Sequence, residues 1–358
     1  NDFIPAPQQA AAIRAIVEWY SNPNRTAQVF RLFGYAGSGK STITRYVIEE
    51  LGLEPMNRQG GGGGVLFAAF TGKAALVMTR KGTPASTIHS LIYRVSEATP
   101  EEIARVEKEL FDLQRTLHRM PPAERAFAET QIRRLQLRLA DIHKPQFLLN
   151  EKSLVRDADL IVLDEVSMVG LEMAADLLAF GKPILVLGDP GQLPPIKGEG
   201  AFTRDAPDIM LTEIHRQAAE SAIIRLATMA RQGEPIGFGQ YDTFVWKMRK
   251  MDVTPEQALR GGQVICGMNA TRLQLNNAMR RAAGFGDGWL PSGSGEKIVC
   301  LKNQNDLGLI NGMFLTLEDV VDEGSLYISA VVTDEDGNRI GDPGADGSRA
   351  RLRIYKGH

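Results

Sequence analysis

The sequence predicts an α/β fold, and three observations support this prediction. Short apolar runs have the composition of buried parallel strands. Segments with apolar residues at three- and four-residue steps, which is helical spacing, lie between several of these runs. Turns rich in glycine or carboxylates follow the runs, at the edge of a parallel sheet where ligands bind. The runs are residues 29–33, 65–70, 160–163 and 184–187.

The first part of the chain alternates helices with these strands. Gly52 ends the second predicted helix, since glycine commonly follows a helix C-terminus. Five consecutive glycines, residues 60–64, form a loop without packing capacity before the next strand. The predicted helices of this part are residues 7–20, 41–51 and 73–79.

A helical hairpin is predicted between residues 100 and 144, inserted between α/β elements. Its apolar residues recur at helical spacing on both sides of Pro121-Pro122, which breaks the pattern. The inner half of the hairpin is basic. That basic surface suits either contact with nucleic acid or a solvated, partner-docking face, and the two alternatives stay open at this point. Its arginines are Arg115, Arg119, Arg125, Arg133, Arg134 and Arg138.

The last third of the chain changes from helical to strand-like patterns. After Gly312 the pattern predicts β-structure, with turn dipeptides Asp336-Gly337 and Asp346-Gly347. The elements predicted before it are a helix over 221–231, a strand over 264–266 and a helix over 273–283.

The composition narrows the classes of function. The chain has 358 residues, enough for two or three domains. Its net charge of −2 excludes a protein that coats nucleic acid through bulk positive charge, yet allows a narrow track that contacts a few phosphates. Two cysteines cannot build a disulfide framework, so a reducing, intracellular setting is expected. We expect no membrane span, because no apolar run approaches the ~20 residues that one needs.

The segment Gly34–Ser41 matches the phosphate-binding pattern G-x-x-x-x-G-K-[ST] and lies between a predicted strand and a predicted helix. Its glycines let backbone N–H groups turn toward phosphate oxygens, and the helix N-terminus adds partial positive charge. We expect Lys40 to reach the β- and γ-phosphates of a nucleotide and Ser41 to bind Mg²⁺.

A pair of carboxylates, Asp164 and Glu165, ends the apolar strand 160–163. Such a pair alone is often a solvated edge or a helix cap. Downstream of a phosphate-binding loop, Asp164 is placed to hold Mg²⁺ and Glu165 to polarise the attacking water.

The loop after strand 184–187 carries Gln192 in a frame of glycines and prolines. A glutamine in a stiff loop at a strand's carboxyl end favours a fixed, ligand-facing role over a water-facing one. Asp189 in the same loop is either part of the site or only a turn former.

In this order, the motifs resemble those of superfamily 1B DNA helicases, the RecD-like group that includes Pif1-like and Dda-like enzymes. The resemblance covers about residues 3 to 311. The segment 269–272 is similar to a DNA-facing loop of the second motor domain. The family's motifs V and VI have no match in this sequence. The matching segments are 7–13 (Q motif), 34–42 (motif I), 70–75 (motif Ia), 85–91 (motif Ib), 164–167 (motif II), 188–195 (motif III) and 211–217 (motif IV).

The resemblance implies roles for individual residues. Gln9 would hydrogen-bond adenine, Gln192 would sense the γ-phosphate, and Arg216 would contact the γ-phosphate as an arginine finger. The implied nucleotide-binding residues are Gln9, Gly34, Gly37, Ser38, Gly39, Lys40, Ser41 and Thr42. The implied single-strand track consists of Thr71, Gly72, Lys73, Thr87, His89 and Arg272. For His89, a satisfied core histidine is the alternative.

The resemblance also implies a domain organisation with two RecA-like motor domains and ATP between them. Relatives often carry a small β element that parts the duplex where this chain has a helical insert, so any strand-separating pin is unassigned. The expected divisions are 1–96 and 146–217 for the first motor domain, 97–145 for the inserted hairpin, 218–311 for a partial second motor domain and 312–358 for an incomplete β-rich insertion.

The implied function is ATP- and Mg²⁺-dependent translocation along single-stranded DNA, from 5′ to 3′, with unwinding at duplex junctions. We expect a cytoplasmic protein encoded by a bacterium or a phage, acting in repair or recombination, with protein partners there. One alternative is a partial or regulatory DNA-dependent ATPase subunit of a larger complex, which the missing motifs favour. The other is a P-loop phosphotransferase, which would leave Gln192 and the segment 87–89 unexplained.

Overall fold

The structure is a computed structural model that describes residues 4–56, 63–96, 99–142, 146–193, 195, 198–213, 221–285, 291, 293–322, 324, 326–341 and 350–355. The helices described are α1 (Pro7–Ser21), α2 (Lys40–Glu50), α3 (Gly72–Arg80), α4 (Ile88–Ile92), α5 (Pro100–Thr116), α6 (Pro122–Ile142), α7 (Leu171–Leu178), α8 (Ala222–Gln232), α9 (Pro255–Arg260) and α10 (Asn269–Ala282).

Fourteen strands accompany these helices in the described part of the chain. They are β1 (Val29–Gly34), β2 (Val65–Ala69), β3 (Ala85–Thr87), β4 (Tyr93–Ser96), β5 (Gln146–Leu149), β6 (Leu160–Asp164), β7 (Ile184–Gly188), β8 (Ile209–Leu211), β9 (Gly239–Gln240), β10 (Trp246–Lys247), β11 (Lys297–Val299), β12 (Phe314–Asp322), β13 (Tyr327–Asp334) and β14 (Leu352–Tyr355). The strands and helices predicted from the sequence up to residue 187 are confirmed within a few residues.

A parallel sheet forms the centre of the first unit. Its six strands lie in the order β3-β2-β6-β7-β1-β8, and every pairing is parallel. Ala69 pairs with Asp164 and Phe33 with Gly188, so the strands end side by side. The loops that follow β1, β6 and β7 therefore emerge at one edge, which confirms the predicted α/β fold and positions the site.

Both faces of this sheet are covered, which explains why its strands are apolar throughout. In β6, Leu160 and Val162 face a core that includes residues of α1 and α2, whereas Ile161 and Leu163 face a core that includes residues of α4 and α7. All four side chains are 0% exposed. Strands buried on both faces show no alternation of polar and apolar residues, as expected for parallel sheets.

The inserted hairpin consists of α5 and α6, as the sequence predicts. Thr99 and Glu102 form a reciprocal capping box at the start of α5. An antiparallel ribbon of β4 and β5 closes the base of the insertion, with Ser96 opposite Gln146. The hydrophobic pattern does not predict this ribbon, because four-residue strands are too short to show a period.

Residues 221–285 contain α8, the small antiparallel pair β9-β10, α9 and α10. The strand predicted at 264–266 is wrong, since this backbone forms no sheet pairing and Ile265 is 90% exposed. Among residues 221–285, the structure describes no parallel sheet. The second RecA-like motor domain over 218–311 therefore stays a prediction.

A four-stranded antiparallel sheet, β11-β12-β13-β14, forms the last unit and encloses its own apolar core. It extends further toward the N-terminus than the segment 312–358, because β11 begins at Lys297 and Leu309 is part of the core. The predicted turn at Asp336-Gly337 is confirmed, whereas Asp346-Gly347 lies outside the described residues. In the described part of the chain, no helix is long and apolar enough to cross a membrane.

Candidate nucleotide site and single-strand track

The phosphate-binding loop joins β1 to α2 in the predicted way. Gly37 and Gly39 have φ of 80° and 86°, backbone angles that favour glycine. The ammonium group of Lys40 donates to the carbonyl oxygens of Gly34 at 2.5 Å and of Tyr35 at 3.2 Å. Thus the lysine side chain folds back over the mouth of the loop, where a nucleotide's phosphates would compete for its protons.

The Gln9 side chain holds this loop against helix α1. The Gln9 amide donates from Nε2 to the Ser38 carbonyl at 3.2 Å and accepts from the Ala6 N–H at 3.0 Å. Gln9 is 4% exposed and Ser38 is 1% exposed. A Cβ on Gly34 would lie 2.5 Å from the Ser38 hydroxyl oxygen, so only glycine fits there. Gln9 is therefore engaged by the loop itself, and its role toward adenine stays a prediction.

The carboxylates of the site surround Lys40. Burial lowers the pKa of Lys40, while the negative charges of Asp189, Asp164 and Glu165 act in the opposite direction. Burial raises the pKa of Asp164, and the neighbouring charge of Glu165 adds to this, although the Glu165 N–H and Lys40 oppose it. Three carboxylates around one ammonium leave an excess of negative charge. This suits a divalent cation, and Ser41 and Asp164 supply oxygen donors of the type that Mg²⁺ prefers.

Glu165 has an unusual backbone. Its φ is 54°, the left-handed region that few non-glycine residues adopt, and its N–H donates to Asp164 Oδ1 at 2.8 Å. Such strained conformations cluster at active sites. The turn lies at the same edge of the sheet as the phosphate-binding loop.

The loop after β7 is organised by Asp189. Its Oδ1 accepts from the Gly191 N–H at 2.9 Å, and its carbonyl accepts from the Gln192 N–H at 3.1 Å. Asp189 is thus a turn former, and its charge also acts on Lys40. Ser167, just after the carboxylate pair, donates to Gln192 Oε1 at 3.2 Å. The two loops are therefore joined by a side-chain hydrogen bond. Pro194 lies outside the described residues.

Arg231 is a site residue that the sequence does not reveal. It lies near the end of α8, and its guanidinium stacks over the Tyr35 ring at 3.5 Å from the centroid. A Cβ on Gly191 would lie 3.4 Å from Arg231 Cδ, so the side chain touches both loops. In the described part of the chain Arg231 makes no ion pair. The predicted finger Arg216 lies outside the described residues.

The residues predicted for the single-strand track begin two helices at the sheet's carboxyl edge. Thr71 Oγ1 accepts from the Ala74 N–H and caps α3, and Thr87 Oγ1 accepts from the Ser90 N–H and caps α4. Gly72 starts α3 beside them. Helix N-termini lined by hydroxyls suit phosphate contacts that do not read bases.

Two track candidates have other partners, and a third lies apart from them. His89 packs in an aromatic cluster with Phe70, Tyr93 and Phe147, at ring-centroid distances of 6.0, 5.8 and 5.8 Å, and burial lowers its pKa. This packing favours the core alternative for His89. Lys73 contacts the C-terminal sheet. Arg272 is exposed in the first turn of α10, and its DNA contact stays a prediction.

A parallel sheet with a phosphate-binding loop after β1 and a carboxylate pair after β6 defines a P-loop nucleotide-binding domain. Residues 5–244 match the model of a family described as AAA domain. The chain belongs to this AAA-domain family, and part of it is similar to a RecD-type helicase, the group that its motifs resemble.

Individual relatives are similar over parts of the chain. An ATP-dependent RecD2 DNA helicase of Deinococcus radiodurans is 40% identical over 87 residues, which are 23% of this chain and 12% of that helicase. A solved Pif1 helicase from Bacteroides, in complex with ADP-AlF3 and ssDNA, is 17% identical with a TM-score of 0.47, over 99% of this chain and 80% of that one. A structure of two coordinating Pif1 helicases at forked dsDNA is 19% identical, also with a TM-score of 0.47. The match covers 95% of this chain and 76% of that one.

Proposed function

We propose that this chain is the ATP-hydrolysing motor of a DNA helicase that moves along single-stranded DNA from 5′ to 3′ and unwinds duplex at junctions. The observation that carries the proposal is the position of Lys40. Its ammonium donates to two carbonyls of the phosphate-binding loop, and the charges of three carboxylates at the sheet edge act on its pKa. A half-buried cation on a glycine-rich loop, next to a strained Asp-Glu turn, matches what phosphoryl transfer to water needs.

The residues divide the chemical work. The triphosphate replaces the loop carbonyls as the partner of Lys40, which then stabilises negative charge on the β- and γ-phosphates. Ser41 and Asp164 would hold Mg²⁺, which supplies further neutralisation of phosphate charge. Glu165 accepts a hydrogen bond from the attacking water and orients it toward the γ-phosphate. Arg216 would approach the γ-phosphate from across the cleft.

Hydrolysis is coupled to DNA through the joined loops. Gln192 shares a hydrogen bond with Ser167, two residues after the catalytic carboxylate Glu165. A change in the γ-phosphate can thus shift both loops together. The capped N-termini of α3 and α4 hold the strand's phosphates, and we propose that the track consists of Thr71, Gly72, Lys73, Thr87 and Arg272, whereas His89 packs in the aromatic cluster.

The test is ATP turnover with and without single-stranded DNA, paired with unwinding of 5′-tailed and 3′-tailed duplexes. We expect stimulation by DNA and unwinding of the 5′-tailed substrate alone. Lys40→Ala should abolish turnover, whereas Arg45→Ala, an exposed cation on the same helix, should leave it unchanged. Turnover near the wild-type rate in Lys40→Ala would refute the assignment. Turnover that depends on a small acceptor and not on DNA would identify a phosphotransferase.

A second candidate is a DNA-dependent ATPase subunit of a larger repair or recombination complex. It is favoured by large apolar side chains that residues 221–285 leave exposed: Phe244 is 86% exposed, Met251 83% and Ile265 90%. Large apolar side chains that are this exposed are available to a protein partner. This candidate predicts DNA-stimulated turnover without unwinding by the chain alone. For either function we propose a cytoplasmic protein of a bacterium or phage.

A further inference from the structure

The C-terminal sheet presents an acidic turn to helix α3. We define the acidic turn as Asp334, Glu335 and Asp336, at the end of β13. Arg80 Nη2 lies 2.7 Å from Asp336 Oδ2, and Arg80 Nη1 lies 3.6 Å from Glu335 Oε2. Lys73 Nζ lies 3.8 Å from Glu335 Oε1. Two cations of one helix are therefore paired with carboxylates from a unit more than 250 residues away in sequence.

The acidic turn is held in a defined shape. Asp334 Oδ1 accepts from the N–H groups of Asn338 and Asp336 at 2.8 and 2.9 Å, and its Oδ2 accepts from Asn338 Nδ2 at 3.1 Å. Although burial acts to raise the pKa of Asp334, these hydrogen bonds outweigh it and lower the pKa. The three hydrogen bonds of Asp334 thus hold the backbone of the turn in a defined shape next to α3.

Apolar contacts place the sheet over the start of α3. The Lys73 ammonium lies 3.9 Å from the centroid of the Phe314 ring, and Lys73 Cβ would lie 3.6 Å from a Cβ on Gly312. A Cβ on Gly72 would lie 2.2 Å from Ile310 Cγ2, so the sheet reaches the helix backbone there. These contacts cover the N-terminus of α3, which is part of the proposed single-strand track.

Lys73 and Arg80, the two cations of α3, are placed so that both can bind the same anionic ligand. Lys73 and Arg80 are seven residues apart, so they lie on one face of α3 and about 10 Å apart along its axis. The same donors bind carboxylates and phosphates, and an arginine fork suits either group. All four side chains are 34 to 54% exposed, so their ion pairs are accessible to solvent and each is weak. A polyanion can displace such pairs.

We propose that Lys73 and Arg80 form a binding site for the phosphates of single-stranded DNA, and that the acidic turn occupies this site when DNA is absent. The ligand class rests on the proposed function. Arg80 is added to the track, and the turn acts as an internal competitor that lifts away when the strand binds. The C-terminal sheet then sets how tightly the motor holds DNA.

The experiment measures the affinity of fluorescein-labelled oligo-dT by anisotropy without nucleotide, over a range of salt. The double variant Glu335→Gln/Asp336→Asn should bind about 3- to 10-fold more tightly than wild type. The control Glu318→Gln/Asp306→Asn removes the same charge elsewhere in the unit and should change affinity less than 2-fold. Arg80→Gln should weaken binding and reduce the slope of log affinity against log salt by about 0.7, the value for one phosphate of a single strand.

Combining the Arg80 and acidic-turn variants distinguishes competition by the acidic turn from a general effect of its negative charge on DNA binding. In the Arg80→Gln background, neutralising the turn should tighten binding by much less than it does in wild type. Equal tightening in both backgrounds, or by the control pair, would overturn the proposal. ATP turnover with and without DNA is measured on the same proteins. If DNA stimulates turnover but the turn variant binds DNA with wild-type affinity, only this inference is wrong. If DNA neither binds nor stimulates turnover, the proposed function is wrong as well. Arg80→Lys, which keeps the charge, should bind nearly as wild type and guards against a folding defect.

Discussion

Replacing Gln9 with alanine tests whether this residue holds the phosphate-binding loop. The substitution removes the hydrogen bonds to the Ser38 carbonyl and from the Ala6 N–H. Each is worth roughly 1 kcal/mol net, and the Ser38 carbonyl is left in a buried place without this donor, so we expect a loss of about 2–3 kcal/mol. For a folding unit of this size that corresponds to a melting temperature roughly 4 to 12 °C lower.

The assay combines thermal unfolding with steady-state hydrolysis of ATP and GTP. If Gln9 positions the loop, KM for both nucleotides should rise by a similar factor in Gln9→Ala. Gln8→Ala is the matched control, since its amide bonds instead to Thr212 and to the Glu213 N–H, away from the loop. Unaltered melting together with a selective loss of ATP over GTP would refute our reasoning and assign Gln9 to adenine recognition.

Three further outcomes are expected. Gln192→Ala should bind ATP but lose stimulation by single-stranded DNA, measured as the ratio of turnover with and without DNA; an unaltered ratio removes its sensor role. Arg231→Gln should raise KM for ATP. Tyr35→Phe should leave KM unchanged, because phenylalanine keeps the ring face under the guanidinium. A wild-type KM in Arg231→Gln would contradict a role for Arg231 in the nucleotide site. Because burial raises the pKa of Asp164, and activity requires its carboxylate, kcat/KM should fall on acidification at a pH above the ordinary ~3.9 of aspartate. A pH profile with its acid limb at that ordinary value would count against a role for Asp164.

Features of the fold that depend on neighbouring residues could be predicted from the sequence. The strand 184–187 is apolar because both faces of the sheet are covered, and the glycines of the phosphate-binding loop are needed by their own backbone angles. Asp164 and Glu165 come together because they are adjacent. In each case the residues that carry the signal lie within a few positions of one another, so the local pattern shows it.

Features that depend on distant partners could not be predicted. Arg231 reaches Tyr35, and Arg80 reaches Asp336, across hundreds of residues, and neither arginine differs locally from a solvated one. The strand predicted at 264–266 is wrong for the same reason, because a strand also depends on a distant partner. Three apolar residues form a strand only where another strand offers hydrogen bonds, and none does here. His89 is similar: its aromatic neighbours come from β4, from β5 and from the residue that follows β2.

The β4-β5 ribbon has a consequence for how such a chain can diversify. The inserted arm leaves the core at Ser96 and returns at Gln146, and these two residues are paired. Further in, the Asn150 N–H donates to the Ile92 carbonyl at 2.7 Å. The arm is thus attached through a closed neck, so it can be lengthened, shortened or exchanged without changing the distance its ends must span. An arm attached in this way can change in length or sequence while the phosphate-binding edge of the sheet stays constant.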